Sequence, residues 1–334
     1  MNLLPPRTSL YSQVSISSLT GLFRRGVTRG RAPFIALRIA DRTADNSRLP
    51  SADPRAGPGT VGHRASTPRR CKTIPLYARL VRYGFRKHAT YVWAAVAGAF
   101  TNSVFGILRA YILIALWQAR PGLAGYDVTQ AVTYCFMTQA LIGPMQLFGT
   151  GLTIPDRIRS GDIALDLVRP ASLQLWSLAE DLGRAAYLFL ARGLPPMLLG
   201  AALFGIAHPA DPVWWLAFLA SFLAGVIASF AWRYLVALSV CWLLDDRGVA
   251  AFSLVLTTLF SGMLLPLNLF PGILGDLARA LPWAAMVQAP TDVYLGKAPV
   301  LATLAFQGFW AAVLLAAGAL GTRAIRHKVV IQGG

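Results

Sequence analysis

Six apolar runs, each long enough to cross about 30 Å of hydrocarbon as a helix of roughly 20 residues, constrain this chain more than any other feature. They lie near residues 91–117, 128–150, 184–207, 213–243, 248–270 and 299–321. A helix that is apolar all round belongs in lipid or in a deep core. With 55% hydrophobic and only 13% charged residues, against about one quarter charged in a soluble domain, the chain reads as an integral membrane protein. The expected fold is all-α, a polytopic transmembrane helical bundle of about six spans.

The net charge of +17 resembles a nucleic-acid signal until it is divided along the chain. Residues 1–73 hold thirteen Arg or Lys against Asp41, Asp45 and Asp53. The rest is concentrated in a few connections, which is the pattern of topology-setting charge, so no nucleic-acid partner is expected. Residues 1–73 are rich in Arg, Ser, Pro and Gly and have no sustained apolar period, which predicts a disordered extension ahead of one membrane domain over 74–334. Two readings of the extension stand, an Arg- and Ser-rich transit peptide or translated sequence ahead of a later start, and the second is preferred.

From Ile74 to Ala89 the spacing turns helical, with Tyr77, Leu80, Val81, Gly84 and Phe85 on one face and Arg79, Arg82 and Arg86 on the other. That pattern predicts an amphipathic interfacial helix on anionic membrane lipid, or equally the basic flank of the first span. Arg79, Arg82, Arg86, Lys87, Arg157, Arg159, Arg169, Arg247, Arg323, Arg326 and Lys328 fall on one side of the six runs, and Arg120, Arg279 and Lys297 on the other. Both termini are therefore expected in the cytoplasm. Residues 270–299 are broken by Pro271, Pro282 and Pro290, too interrupted to span and too apolar for a free loop. A re-entrant segment on the outer side or a pair of interfacial helices fits.

The longest polar interruption, residues 151–183, carries Asp156, Arg157, Arg159, Asp162, Asp166, Arg169, Glu180 and Asp181, out of only 14 Asp plus Glu in the chain. Charge this dense is excluded from lipid and lies in water or against a partner. Asp162, Asp166 and Arg169 share a face if the stretch is helical, whereas Ile163, Leu165 and Leu167 share one if it is extended, and spacing alone leaves both open. Ser172 is placed to cap a new helix through Leu175, Leu178 and Leu182.

Sites for chemistry are scarce. The one Gly-Lys pair, Gly296-Lys297, lacks the rest of a phosphate loop, and His63, His88, His208 and His327 are scattered. Cys71, Cys135 and Cys241 suggest neither a zinc site nor a disulfide framework. Catalytic, cofactor and metal residues are therefore all expected to be absent. Inside the runs stand Arg109, Arg192 and Arg233 with no carboxylate, which argues against a proton- or sodium-coupled carrier. Each arginine is either satisfied by carbonyls or engaged with substrate. Arg233, flanked by Trp232 and Tyr234, is the candidate pathway residue.

Three stretches carry a resemblance: RSGDIALDLVRP, FPGILGDLARALPW with the following PTDVYLGK, and the terminal Gln-Gly-Gly. Over residues 74–334 the order of basic helix, two spans, charged segment and four more spans resembles the permease subunits of ABC type-2 exporters, specifically a bacterial group of uncharacterised six-span permeases. The resemblance implies a permease in a bacterial plasma membrane, paired with a second permease, in a homo- or heterodimer, and with two cytoplasmic ATPase subunits. ATP and Mg would sit on that separate ATPase, and this chain would hold no cofactor. It further implies that Arg157, Arg159, Asp162, Asp166 and Arg169 face the ATPase, with Ile163 and Leu167 as apolar anchors. Two rivals come from other classes, a membrane-embedded lipid-modifying enzyme and a non-transporting membrane anchor. The enzyme calls for a His, Asp or Glu cluster that the runs do not offer.

Overall fold

A computed structural model of the chain describes residues 73–169, 171–209, 211–243 and 247–332. The extension expected over residues 1–73 lies outside them, except for Thr73, which opens the first helix. The described residues form helices and connections with no strand. In order these are α1 (Thr73–Ala89), α2 (Val92–Ala119), α3 (Val128–Met145), α4 (Ile154–Ser160), α5 (Ile163–Val168), α6 (Leu173–Leu188), α7 (Leu194–Phe204), α8 (Pro212–Leu238), α9 (Val240–Leu243), α10 (Arg247–Phe260), α11 (Gly272–Ala280), α12 (Gln288–Tyr294) and α13 (Val300–Gln332).

Four helices are long and apolar enough to cross a membrane: Val92–Ala119, Leu173–Phe204, Pro212–Leu243 and Val300–Arg326. Their outward faces carry large apolar side chains such as Trp93, Phe100, Leu198 and Leu216, the surface that lipid accepts and water rejects. The other two expected spans differ. Helix α3 is almost wholly enclosed and buries Thr133, Thr138 and Gln139 along with its apolar residues. Helix α10 stops at Phe260, so the run expected over 248–270 is not one helix, and at 14 residues it reaches only about 21 Å.

Small residues set the packing. Helix α2 lays Ala95, Gly98, Ala99, Gly106 and Ala110 against its neighbours, as membrane helices do where backbones must approach closely. Polar side chains then bond across the interfaces. Gln307 of α13 donates to the carbonyls of Ser221 and Ala285 at 3.0 and 2.8 Å, and Tyr234 bonds Thr322 at 2.8 Å.

Helix α1 is docked rather than free. A side chain on Gly84 would overlap the Glu180 carbonyl, and one on Gly183 would overlap the Val81 carbonyl, so α1 and α6 cross in contact at two glycines. Phe85 and Tyr187 meet edge to face at 5.5 Å, and Lys87 reaches Glu180 at 2.7 Å. Arg79, Arg82 and Arg86 remain exposed on the far side.

Residues 261–296 fold back into the bundle. Leu267 and nearly all of residues 282–294 are buried, so that irregular backbone is enclosed by protein as its survival in lipid requires, whereas α11 between them exposes Ile273, Leu274 and Leu277. Arg109 of α2 donates to the Met263 and Leu264 carbonyls at 2.8 and 2.5 Å, pairing two acceptors of the irregular stretch that follows α10.

Candidate functional site

The polar interruption resolves into a helical hairpin. Gly161, at φ 81°, turns the chain between α4 and α5, a left-handed position that a side chain would strain. Asp166, only 7% exposed, accepts from Arg157 and pairs with Arg169 at 3.3 Å. Arg169 also lies over the Trp176 ring at 5.7 Å. Inward, Ile154 joins Phe230, Tyr234, Leu238 and Ile325, with Leu167 packed against them.

This arrangement corrects the expected division of labour. Ile163 is 4% exposed and Leu167, half-buried, packs against the chain's own core. The apolar side chains that do face outward are Leu165 and Val168, at 68% and 84% exposure. Arg159, Asp162 and Arg169 are exposed around them, with Arg159 3.3 Å from Asp156. A burial pattern of this kind needs the position of α8 and α13, which no local spacing encodes. Between the hairpin, α1 and α6 lies a cleft of about 740 Å³, bordered by Arg79, Tyr83, Lys87, Arg157, Asp162, Trp176 and Glu180. The hydrogen bond to Glu180 holds the Lys87 ammonium above its ordinary pKa.

Directly behind the hairpin is a buried ion cluster. Helix α6 begins at Leu173, right after Ser172, although the Ser172 side chain makes no cap bond. It thereby starts eleven residues before the expected span and brings Asp181 into the candidate span beside Arg184. The expectation of no carboxylate within the spans does not hold. Asp181 accepts from Arg184 Nε at 2.7 Å and from Arg233 at 2.6 Å. Arg184 also donates to the Gly143 and Pro144 carbonyls at 3.0 and 2.9 Å, and Arg233 to the Thr150 carbonyl at 2.9 Å. Arg233, the candidate pathway residue, is thus engaged by a carboxylate and a carbonyl. The cluster ties α6 and α8 to the link that runs from α3 into the hairpin.

A second polar cluster sits at the opposite end of α3. Tyr126 donates to Asp292 at 2.5 Å, Gln288 Nε2 donates to the other Asp292 oxygen at 2.7 Å, and Tyr134 donates to Gln288 Oε1 at 2.7 Å. The same Oε1 accepts the Leu267 N–H at 3.0 Å. Asp181, Arg184, Asp292 and Gln288 were not anticipated; the Asp181-Arg184 spacing was a signal only in retrospect, as a one-turn pair that can enter lipid together.

A bundle whose outward faces belong in lipid, with a charged hairpin at one end, defines a multi-pass membrane protein. A family model described as ABC-2 family transporter protein matches residues 105–324, well over half of the chain. The chain belongs to that family, which makes it a transporter permease rather than a classical enzyme. Permeases of this kind generally work with an ABC ATPase. No curated protein matches the chain.

Proposed function

We propose that this chain is the membrane permease subunit of an ATP-driven exporter in a bacterial plasma membrane. In this reading it pairs with a second permease, and the α4–α5 hairpin seats on a separate cytoplasmic ATPase that carries ATP and Mg. The passes would number six, with α3 and the α10-to-α12 segment completing the bundle and both termini in the cytoplasm. The observation that carries the reading is the hairpin itself. Its inner face is packed onto α8 and α13, while its outer face presents Leu165 and Val168 within a ring of charge, the anatomy of a protein-docking patch.

The mechanism follows from how the hairpin is held. Closure of the ATPase pushes on α4–α5, and the push cannot be absorbed locally because Asp166 locks the two helices together. It passes through the 146–153 link to Arg184, Asp181 and Arg233, hence to α6 and α8. Packed helices switch between arrangements rather than deforming continuously, so nucleotide state and bundle state become linked. Asp162→Lys in a reconstituted complex tests this, since Asp162 is exposed and its reversal leaves the fold alone. ATPase activity stimulated by the permease should fall severalfold with membrane insertion unchanged; unaltered stimulation would count against the docking surface.

A further inference from the structure

Four arginines lie well inside the candidate spans: Arg109, Arg184, Arg192 and Arg233. Three are satisfied by the carbonyls and the carboxylate described above. Arg192 makes no hydrogen bond or ion pair with the described residues, and its Nε is buried without an acceptor.

Its position is built rather than incidental. Arg192 stands on a π turn, Phe189–Gly193, inserted between α6 and α7. Pro195 and Pro196 lack the N–H groups that an α-helix would offer to the carbonyls of Ala191 and Arg192. The chain widens instead, and the Leu194 N–H bonds to the Phe189 carbonyl five residues back. On the facing helix, Gly98 leaves a notch that the guanidinium fills, since a side chain there would overlap Arg192 Nε and Cζ. Such π turns are frequent at functional sites.

A guanidinium keeps its charge and offers five donors, so within a span it needs a partner. Arg192 lies roughly 18 Å farther along the helix than Glu180, whose pairing with Lys87 marks the charged end of the bundle. Glu180 is therefore out of its reach, but the guanidinium lies at Gly98, six residues or about 9 Å into α2, where it can extend toward a lipid head. A second copy of this chain does not supply an anion either. The described carboxylates inside the spans are Glu180, paired with Lys87, and Asp181, enclosed by Arg184 and Arg233.

Carbonyls satisfy Arg109, but no described acceptor bonds Arg192, and the membrane around this half-buried side chain is a source of one that needs no second protein. We propose that Arg192, in the Gly98 notch between α2 and the α6–α7 helix, binds the phosphate or carboxylate head of an anionic amphiphile whose apolar part stays in lipid. The inference rests on the membrane placement of Leu173–Phe204 and is independent of the ATPase.

Native mass spectrometry of the full chain in detergent, with phosphatidylglycerol and phosphatidylcholine at equal concentration, tests the site. Wild type should retain phosphatidylglycerol in preference, and Arg192→Gln should cut that preference roughly tenfold, the worth of one charge-assisted hydrogen bond. Gly98→Ala displaces only the flexible end of the arginine and should lower the preference by a smaller factor, while Arg192→Lys should keep part of it. Competition by oleate would add carboxylate heads to the accepted class. Displacement of the lipid by inorganic phosphate at equal concentration would overturn the amphiphile assignment. Equal retention of the two lipids by wild type, or an unchanged preference in both Arg192→Gln and Gly98→Ala, would overturn the site. Because no ATPase takes part, either result leaves the coupling model to be judged separately.

Discussion

The two buried polar clusters, one at each end of α3, hold charge in opposite ways. At the hairpin end, two guanidiniums share the Asp181 carboxylate and fill their remaining donors with backbone carbonyls. At the other end, the Asp292 carboxylate is held by the neutral donors of Tyr126 and Gln288. The first arrangement has no single member that can be removed without stranding a charge, so it behaves as a rigid joint. The second tolerates exchange of one neutral donor or acceptor for another. A rigid joint suits the end of the bundle that would receive the push in the proposed coupling.

That contrast can be broken first at Asp181. Asp181→Ala leaves Arg184 and Arg233 buried without a counter-charge and should destabilise the folded protein by about 3–5 kcal/mol. Thermal unfolding of the purified protein in detergent would register it as a large fall in the midpoint; a fall no larger than at the opposite end would erase the distinction. Next comes Tyr134→Phe. It removes the hydroxyl that donates to Gln288 and approaches the Gly262 carbonyl at 2.6 Å, and should cost about 1–1.5 kcal/mol, the net worth of one buried hydrogen bond, because Gln288 Oε1 keeps the Leu267 N–H. The smallest effect is expected for Asp292→Asn. It retains a carbonyl acceptor for Gln288 and offers Tyr126 an amide to accept from, so the midpoint should move by less than about 1 kcal/mol in equivalent free energy. A larger loss there would mean that this end too depends on formal charge.

Much of the bundle was legible because lipid demands continuous apolar helices, and the runs around α2, α8 and α13 have nothing to interrupt them. Helix α10 ended early because Ser261, Gly262 and Pro266 break the backbone inside a run that hydropathy alone joins. Helix α6 began early for the converse reason. Glu180 and Asp181 read as an aqueous segment, and what allows Asp181 inside is Arg233, paired with it across 52 residues of sequence. The charged hairpin was visible as a segment. Its handedness of burial was not, since Ile163 and Leu165 differ by two residues and only the packing against α8 and α13 decides which one faces out.

Docking through the hairpin depends on that outward face. Leu165→Asp with Val168→Asp changes two side chains that contact little of the chain itself, so folding and membrane insertion should be unaffected. Affinity purification of the tagged permease from membranes that also express its ATPase should recover the ATPase with wild type and lose it with the double variant. Equal recovery of the ATPase by both proteins would contradict the hairpin as the docking surface.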